Sequence, residues 1–194
     1  ETLATTNKLI LAGEITCQKS LDYQNVARKV ISDLGYTKEI YNFGLGTKIE
    51  SFIHQQSRDI AIGVDDGGAG DQGMMFGYAV NETPEFMPLP ITLSHELCQR
   101  MDELAQKELP YLRPDGKSQV TVRYENGKAV AIETVVLAKP HDPIIDKIEV
   151  KNQLYKLAIC PILEKYHLSK IKTSDVIFNG TGAWEIGGPS SDTG

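Results

Sequence analysis

The sequence predicts an α+β fold of βαββαβ units, in which split βαβ motifs lay two helices on one face of a sheet, with one unit complete and one partial. Three observations predict it. Asn126-Gly127 stands between the alternating runs Ser118–Tyr124 and Ala129–Leu137, the strongest short hairpin signal available. Leu93, Leu97, Met101 and Leu104 recur at helical spacing before that hairpin, and a second helical stretch, Ile144–Lys165, follows it. Upstream, an independent strand, helix and strand recur in the order that would complete the second half of the same plan.

Taken in order, Lys8–Ile15 (KLILAGEI) is a β-rich run ending near Glu14. Leu21–Leu34 is helical, with Asp22 as N-cap, Val26, Val30 and Leu34 on one face and Gly35 as the stop. Lys48–His54 is the next strand. An apolar strand from Ile60 then runs into a glycine-rich segment, and Gly73–Val80 forms a further strand. Pro90 sits near the start of a helix that continues to about Lys107, and Pro110 and Pro114 close that region. Pro161 kinks or splits the helix of Ile144–Lys165, and Val176–Phe178 is the last core strand.

Composition narrows the function. A chain of 194 residues buries roughly 70% of its unfolded surface and supports a real core. A net charge of -6, with both signs interspersed, argues against a nucleic-acid footprint, so an anionic substrate would need local basic residues. Cys17, Cys98 and Cys160 are far apart and lack metal spacing, and are read as buried free thiols. No apolar run has the length of a membrane span and no signal peptide is visible, so a cytoplasmic protein is expected.

Chemistry concentrates in three clusters. The first is Ile60–Thr83, where Gly67, Gly68, Gly70 and Gly73 surround Asp71 and Gln72, so that backbone can approach a ligand beside two polar side chains. It contains a G-x-G-x-x-G match, but Pro84, Pro88 and Pro90 arrive before the helix that a dinucleotide site requires. The second is Arg113–Gln119, where Pro114 and Gly116 bend the chain so that Asp115 and Lys117 point into a common site: a carboxylate accepts from ribose hydroxyls and a lysine meets phosphate. An ordinary turn would read the same way. The third, Phe178–Asp192, holds the single tryptophan, Trp184, either a stacking ring for a base or simply core. The histidines have no partners at zinc-ligand spacing: Gln99 stands where a second ligand would follow His95-Glu96.

Taken together, Gly13-Glu14-Ile15-Thr16, Gln56-Ser57, GAGDQG with MFGYAVNET, Met87–Ile91, LRPDGKSQV and Gly187-Gly188-Pro189 with Asp192 resemble the S-adenosylmethionine synthetase family, over nearly the whole chain. The resemblance implies three similar βαββαβ domains in a pseudo-threefold arrangement, of which residues 1–57 would end the first, 58–70 would be a mobile active-site loop, 71–187 the central domain and 188–194 the start of the third. It implies joining of the sulfur of L-methionine to C5′ of ATP, with triphosphate released and hydrolysed to diphosphate and phosphate. Magnesium and potassium would assist, in a homodimer or homotetramer with active sites between subunits. By position, Glu1 matches a potassium ligand, Glu14 and Gln56 the methionine site, and Asp71 an active-site aspartate. Asp115, Gly116 and Lys117 match ATP-binding positions, Lys117 as a catalytic cation near the phosphates, and Asp192 a carboxylate touching both methionine and ATP.

Two departures stand out. Gly182-Ala183-Trp184-Glu185 replaces the family's Gly-Arg-Phe, so an arginine is lost and Trp184 would become the adenine-stacking ring. The family's His-Pro-Asp-Lys segment and its Gly-Arg-Lys after Asp192 have no counterpart in these residues, so the magnesium ligands are expected outside the chain and the 194 residues alone are expected to lack synthesis. The alternative reading is a non-catalytic βαββαβ module that binds nucleotide or protein.

Overall fold

A turn at Thr6-Asn7, with Asn7 at φ 52°, folds strand β1 (Thr2–Thr5) back antiparallel on β2 (Lys8–Glu14). β2 then pairs in parallel with β3 (Lys48–His54), so that Glu14 stands opposite His54. A parallel neighbour cannot be reached by a tight turn, and helix α1 (Tyr23–Asp33) supplies the crossover. Asp22 caps it by accepting from the Asn25 amide at 3.0 Å, and Gly35, at φ 85°, ends it. The computed structural model describes residues 1–65, 67, 68 and 74–192, and these divide into two units, Glu1–Tyr78 with Pro189–Gly194 and Ala79–Gly188.

The core of the first unit is Leu9, Ile31, Tyr36, Tyr41, Phe43 and Ile49, with the Tyr36 ring edge-on to Tyr41 and Phe43 at 5.8 and 5.7 Å. Val26, Val30 and Leu34 share a face as their spacing requires, but that face is exposed, and Ile31 carries the burial of α1. The apolar stretch after Ile60, expected as a strand, is instead part of helix α2 (Arg58–Asp65), none of whose residues is buried. Its cause is local: the Ser57 hydroxyl accepts from the Ile60 amide at 3.3 Å, an N-cap that starts a helical turn where no strand offers a partner.

The expected strand at Gly73–Val80 is also corrected. Gly73 lies outside the described residues, and 74–80 pair with no strand among the described residues: Met74, Met75, Phe76 and Tyr78 are all well exposed. The Val80 amide turns instead to the Phe86 carbonyl at 3.0 Å. The second unit therefore begins on its helix.

That helix, α3 (Leu89–Lys107), starts after Pro88, which has no capping side chain, and Glu82 substitutes by accepting from the Leu89 amide at 2.8 Å. The same carboxylate oxygen accepts from the Tyr124 hydroxyl at 2.8 Å, tying the helix start to the sheet. Leu93, Leu97, Met101 and Leu104 are buried against strands β4 (Lys117–Glu125) and β5 (Lys128–Ala138) and the second helical stretch. Asn126 and Gly127, at φ 51° and 74°, make the hairpin turn with both central residues left-handed. β6 (Val176–Phe178) returns parallel to β5. Each unit thus holds a three-stranded sheet with the plan hairpin, helix, parallel strand, as the α+β reading requires.

The crossover of the second unit contains the proline split foreseen in the sequence. Helix α4 (Lys147–Leu154) passes through a wide turn at Tyr155–Ile159 into α5 (Cys160–Lys165). Pro161 has no amide to give the Leu157 carbonyl, and Arg100 Nε on α3 donates to that carbonyl at 3.0 Å. Tyr166, just past α5, donates to Glu96 at 2.6 Å, and burial pushes its hydroxyl up to about 12, with Glu96 adding to the shift. The thiols are less buried than expected: Cys17 is exposed and Cys98 and Cys160 are partly so. No helix among the described residues is long and apolar enough to cross a membrane.

Arg100→Ala should destabilise the protein by about 1 kcal/mol, the lower end of the cost of leaving a partly buried carbonyl unpaired, as read by urea denaturation. Pro161→Ala should reduce that loss by restoring the helical amide, so the double-mutant cycle is expected to show coupling.

Candidate functional site

In the first unit the register places Glu14 and His54 side by side at the ends of parallel strands, with Glu14 Oε1 at 3.2 Å from His54 Nε2. Gln56 follows two residues beyond the end of β3, half-buried at the same end of the sheet. Carboxyl ends of adjacent parallel strands are where open sheets gather ligands. Glu1 is exposed, and its carbonyl accepts from the Ala12 amide at 3.0 Å, which fixes its backbone beside Gly13. Glu1, Glu14 and Gln56 are therefore carried by one sheet.

In the second unit the Arg113–Lys117 turn is built around Asp115, held at φ 76°. Its Oδ1 accepts from the Gly116 amide at 2.6 Å and its Oδ2 from the Gly188 amide at 2.8 Å. Gly187 has to be glycine here, because a Cβ would stand 2.7 Å from Asp115 Oδ2 and 2.8 Å from Pro140 Cγ. Arg113 donates to the Glu185 carbonyl at 2.8 Å, joining the same two segments a second time. The two stretches singled out separately in the sequence are thus one structure, and each Asp115 oxygen retains a lone pair for a ligand hydroxyl.

Lys117 opens β4 opposite Ala138 and is exposed, with its Nζ 5.2 Å from the centroid of the Trp184 ring. That ring is half-buried and held by Nε1 donating to the Ile186 carbonyl at 2.8 Å, so Trp184 is neither core nor free. Lys117, Ala138, Asn179, Gly180, Thr181 and Trp184 line a cavity of about 340 Å³. A cation, an aromatic face and a glycine-bearing wall suit a planar base joined to phosphate. Asp71 lies outside the described residues, as does the side chain of Asp192.

Beneath the cavity are two residues to which the sequence reading assigned no role. Asn179, at the end of β6, accepts from the Lys139 amide at 2.9 Å and donates to the Lys139 carbonyl at 3.1 Å, imitating a strand neighbour with its side chain. Lys139 is fully buried and donates to Asp102 Oδ1 at 2.6 Å. Gly116 packs over its stem, where a Cβ would approach Lys139 Cδ to 3.2 Å. An asparagine followed by glycine after a short strand was the available signal for the first. Nothing local announces a lysine whose partner lies on another element.

Residues 66–184 match the family model described as the S-adenosylmethionine synthetase central domain, and residues 1–58 match the model of its N-terminal domain. A protein named S-adenosylmethionine synthase from Pseudothermotoga lettingae is 45% identical over all of the chain, which covers 53% of that protein. Its namesake from Desulforudis audaxviator is 41% identical, again over all of the chain and 53% of the relative. The chain spans about half the length of the curated relatives it matches.

Asn179→Ala should cost about 1–3 kcal/mol, chiefly for the Lys139 amide left unpaired, since the Lys139 carbonyl keeps the His141 ring at 3.3 Å. Asn179→Asp, which keeps the acceptor and loses the donor, should be destabilised too, by chemical denaturation of each variant.

Proposed function

This chain belongs to the S-adenosylmethionine synthetase family, and we propose that the whole protein makes S-adenosylmethionine from ATP and L-methionine. The sulfur lone pair attacks C5′ of ATP, the C5′–O bond breaks, and its electrons leave on triphosphate, which water then splits into diphosphate and phosphate. The observation that carries the reading is the cavity in which Lys117 and Trp184 meet beside the Asp115 turn. Trp184 stacks adenine, Asp115 and the Gly116 backbone address the ribose, and Lys117 offsets the charge that grows on the leaving triphosphate. Glu14 pairs with the substrate ammonium and Gln56 with its carboxylate. Asp71 and Asp192 complete this assignment as an active-site carboxylate and as one shared by methionine and ATP.

We assign Glu1 as one potassium ligand, since a carboxylate is a suitable oxygen donor, but the exposed side chain alone does not form a closed cage. Magnesium would serve as Lewis acid for the phosphates. Among the described residues no group of three or more His, Cys, Asp or Glu is gathered to hold it, and no step on these residues passes through it. The proposal includes a cytoplasmic homodimer or homotetramer with active sites between subunits. The exposed apolar run Met74, Met75, Phe76 and Tyr78 is surface that such an assembly would cover.

Assayed as the whole protein with ATP, L-methionine, magnesium and potassium, the enzyme should release one S-adenosylmethionine per ATP consumed. Lys117→Ala should lower kcat by about 10²-fold or more, in keeping with the loss of a positioned charge. Trp184→Ala should raise the KM for ATP by about five- to a hundredfold, the range for a lost stacking partner, with less effect on kcat. An unchanged kcat in the lysine variant would remove its catalytic assignment.

A further inference from the structure

We infer that His54 is a positioning residue for Glu14, whose neutral imidazole steadies the carboxylate with one hydrogen bond and whose imidazolium competes with a ligand's ammonium for it. The inference rests on the reading of Glu14 as the partner of the L-methionine ammonium, and adds to it a second residue and a dependence on pH.

The backbone builds this juxtaposition. Glu14 and His54 are register partners of the parallel strands β2 and β3, so their side chains project from the same face of the sheet. The pairing continues past them, with the Ile15 amide donating to the His54 carbonyl at 2.8 Å. The two side chains therefore meet through strand register and not through a loose loop.

The ring faces an acceptor at each nitrogen. Nε2 lies 3.2 Å from Glu14 Oε1, and Nδ1 lies 3.4 Å from the Phe52 carbonyl oxygen. A neutral imidazole has one N–H and serves one of these acceptors; an imidazolium has two and serves both. Histidine is the side chain whose charge ordinarily changes between about pH 5 and 8, and this one, with 67% of its side chain exposed, is open to water.

The charged groups around it are otherwise engaged. On α1, which packs on β3, Arg28 donates to the Leu45 and Thr47 carbonyls and Lys29 pairs with Asp33. On β3 itself Lys48 pairs with Glu50. Arg58 and Asp59 open α2 without pairing with the ring, whose one ion-pair partner among the described residues is Glu14. Protonation of the ring thus puts a cation on the carboxylate that an incoming ammonium would use. For a pair this exposed the effect on affinity is about two- to fivefold.

The test is steady-state kinetics of the whole protein, with L-methionine varied at saturating ATP, magnesium and potassium, at about pH 6 and pH 8. The parent's KM for L-methionine should be about two- to fivefold higher at the acid end. In His54→Gln, whose amide keeps a donor and carries no charge, that acid rise should vanish. His54→Ala, which has no donor, should raise the KM at about pH 8, and glutamine should recover part of that rise. An acid rise that persists in His54→Gln overturns the competition, and so does a KM that falls in acid, as it would if the imidazolium met the ligand's carboxylate. Glu14→Gln separates this inference from the reading beneath it. A KM for L-methionine left as in the parent overturns both, whereas a raised KM there beside a persistent acid rise in His54→Gln overturns the coupling alone.

Discussion

The side chain of Asn179 stands in for a strand at the point where the second sheet runs out. β6 is only Val176–Phe178, and beyond it no strand pairs with Lys139, whose carbonyl otherwise meets only the His141 ring at 3.3 Å among the described residues. Asn179 meets both the amide and the carbonyl of Lys139, while its own carbonyl accepts from Lys147 Nζ at 2.9 Å. This holds the Gly180–Trp184 loop against the Lys117 end of the hairpin, which makes a cavity wall out of what would otherwise be a loose connection. Asp115 then closes the other side by bonding Gly188. A polar clasp of this kind is costly to break because each freed backbone group is buried away from water.

Both units share the hairpin, crossover helix and parallel strand, yet among the described residues only the second has a long helix, α3, packed over its sheet. The exposure of Val26, Val30 and Leu34 follows from that difference: an apolar face is buried only where another element of the described residues covers it. Arg100 shows how closely α3 is fitted to its neighbour, since it satisfies the very carbonyl that Pro161 leaves open.

Elements with strong local causes could be read from sequence. The Asn126-Gly127 hairpin, the Asp22 cap and the buried stripe from Leu93 to Leu104 each follow from chemistry within a few residues, and each is present. The failures have local causes as well. Ile60–Val64 satisfies both a strand and a helix pattern, and the Ser57 cap decided it; 74–80 is a short apolar run that reads as a strand but has no partner among the described residues. At the candidate site, the turn that carries Asp115 and Lys117 was legible because proline and glycine mark it. Their joining to Gly187-Gly188, and the burial of Lys139 on Asp102, depend on contacts between distant elements that no periodicity records.

The central claim is that the Asp115–Lys117 turn and Trp184 together receive a nucleotide. A structure of the whole protein with a non-hydrolysable ATP analogue tests this most directly. The account predicts the purine stacked on Trp184 and Lys117 Nζ within hydrogen-bond distance of a phosphate oxygen. A nucleotide bound elsewhere would contradict it.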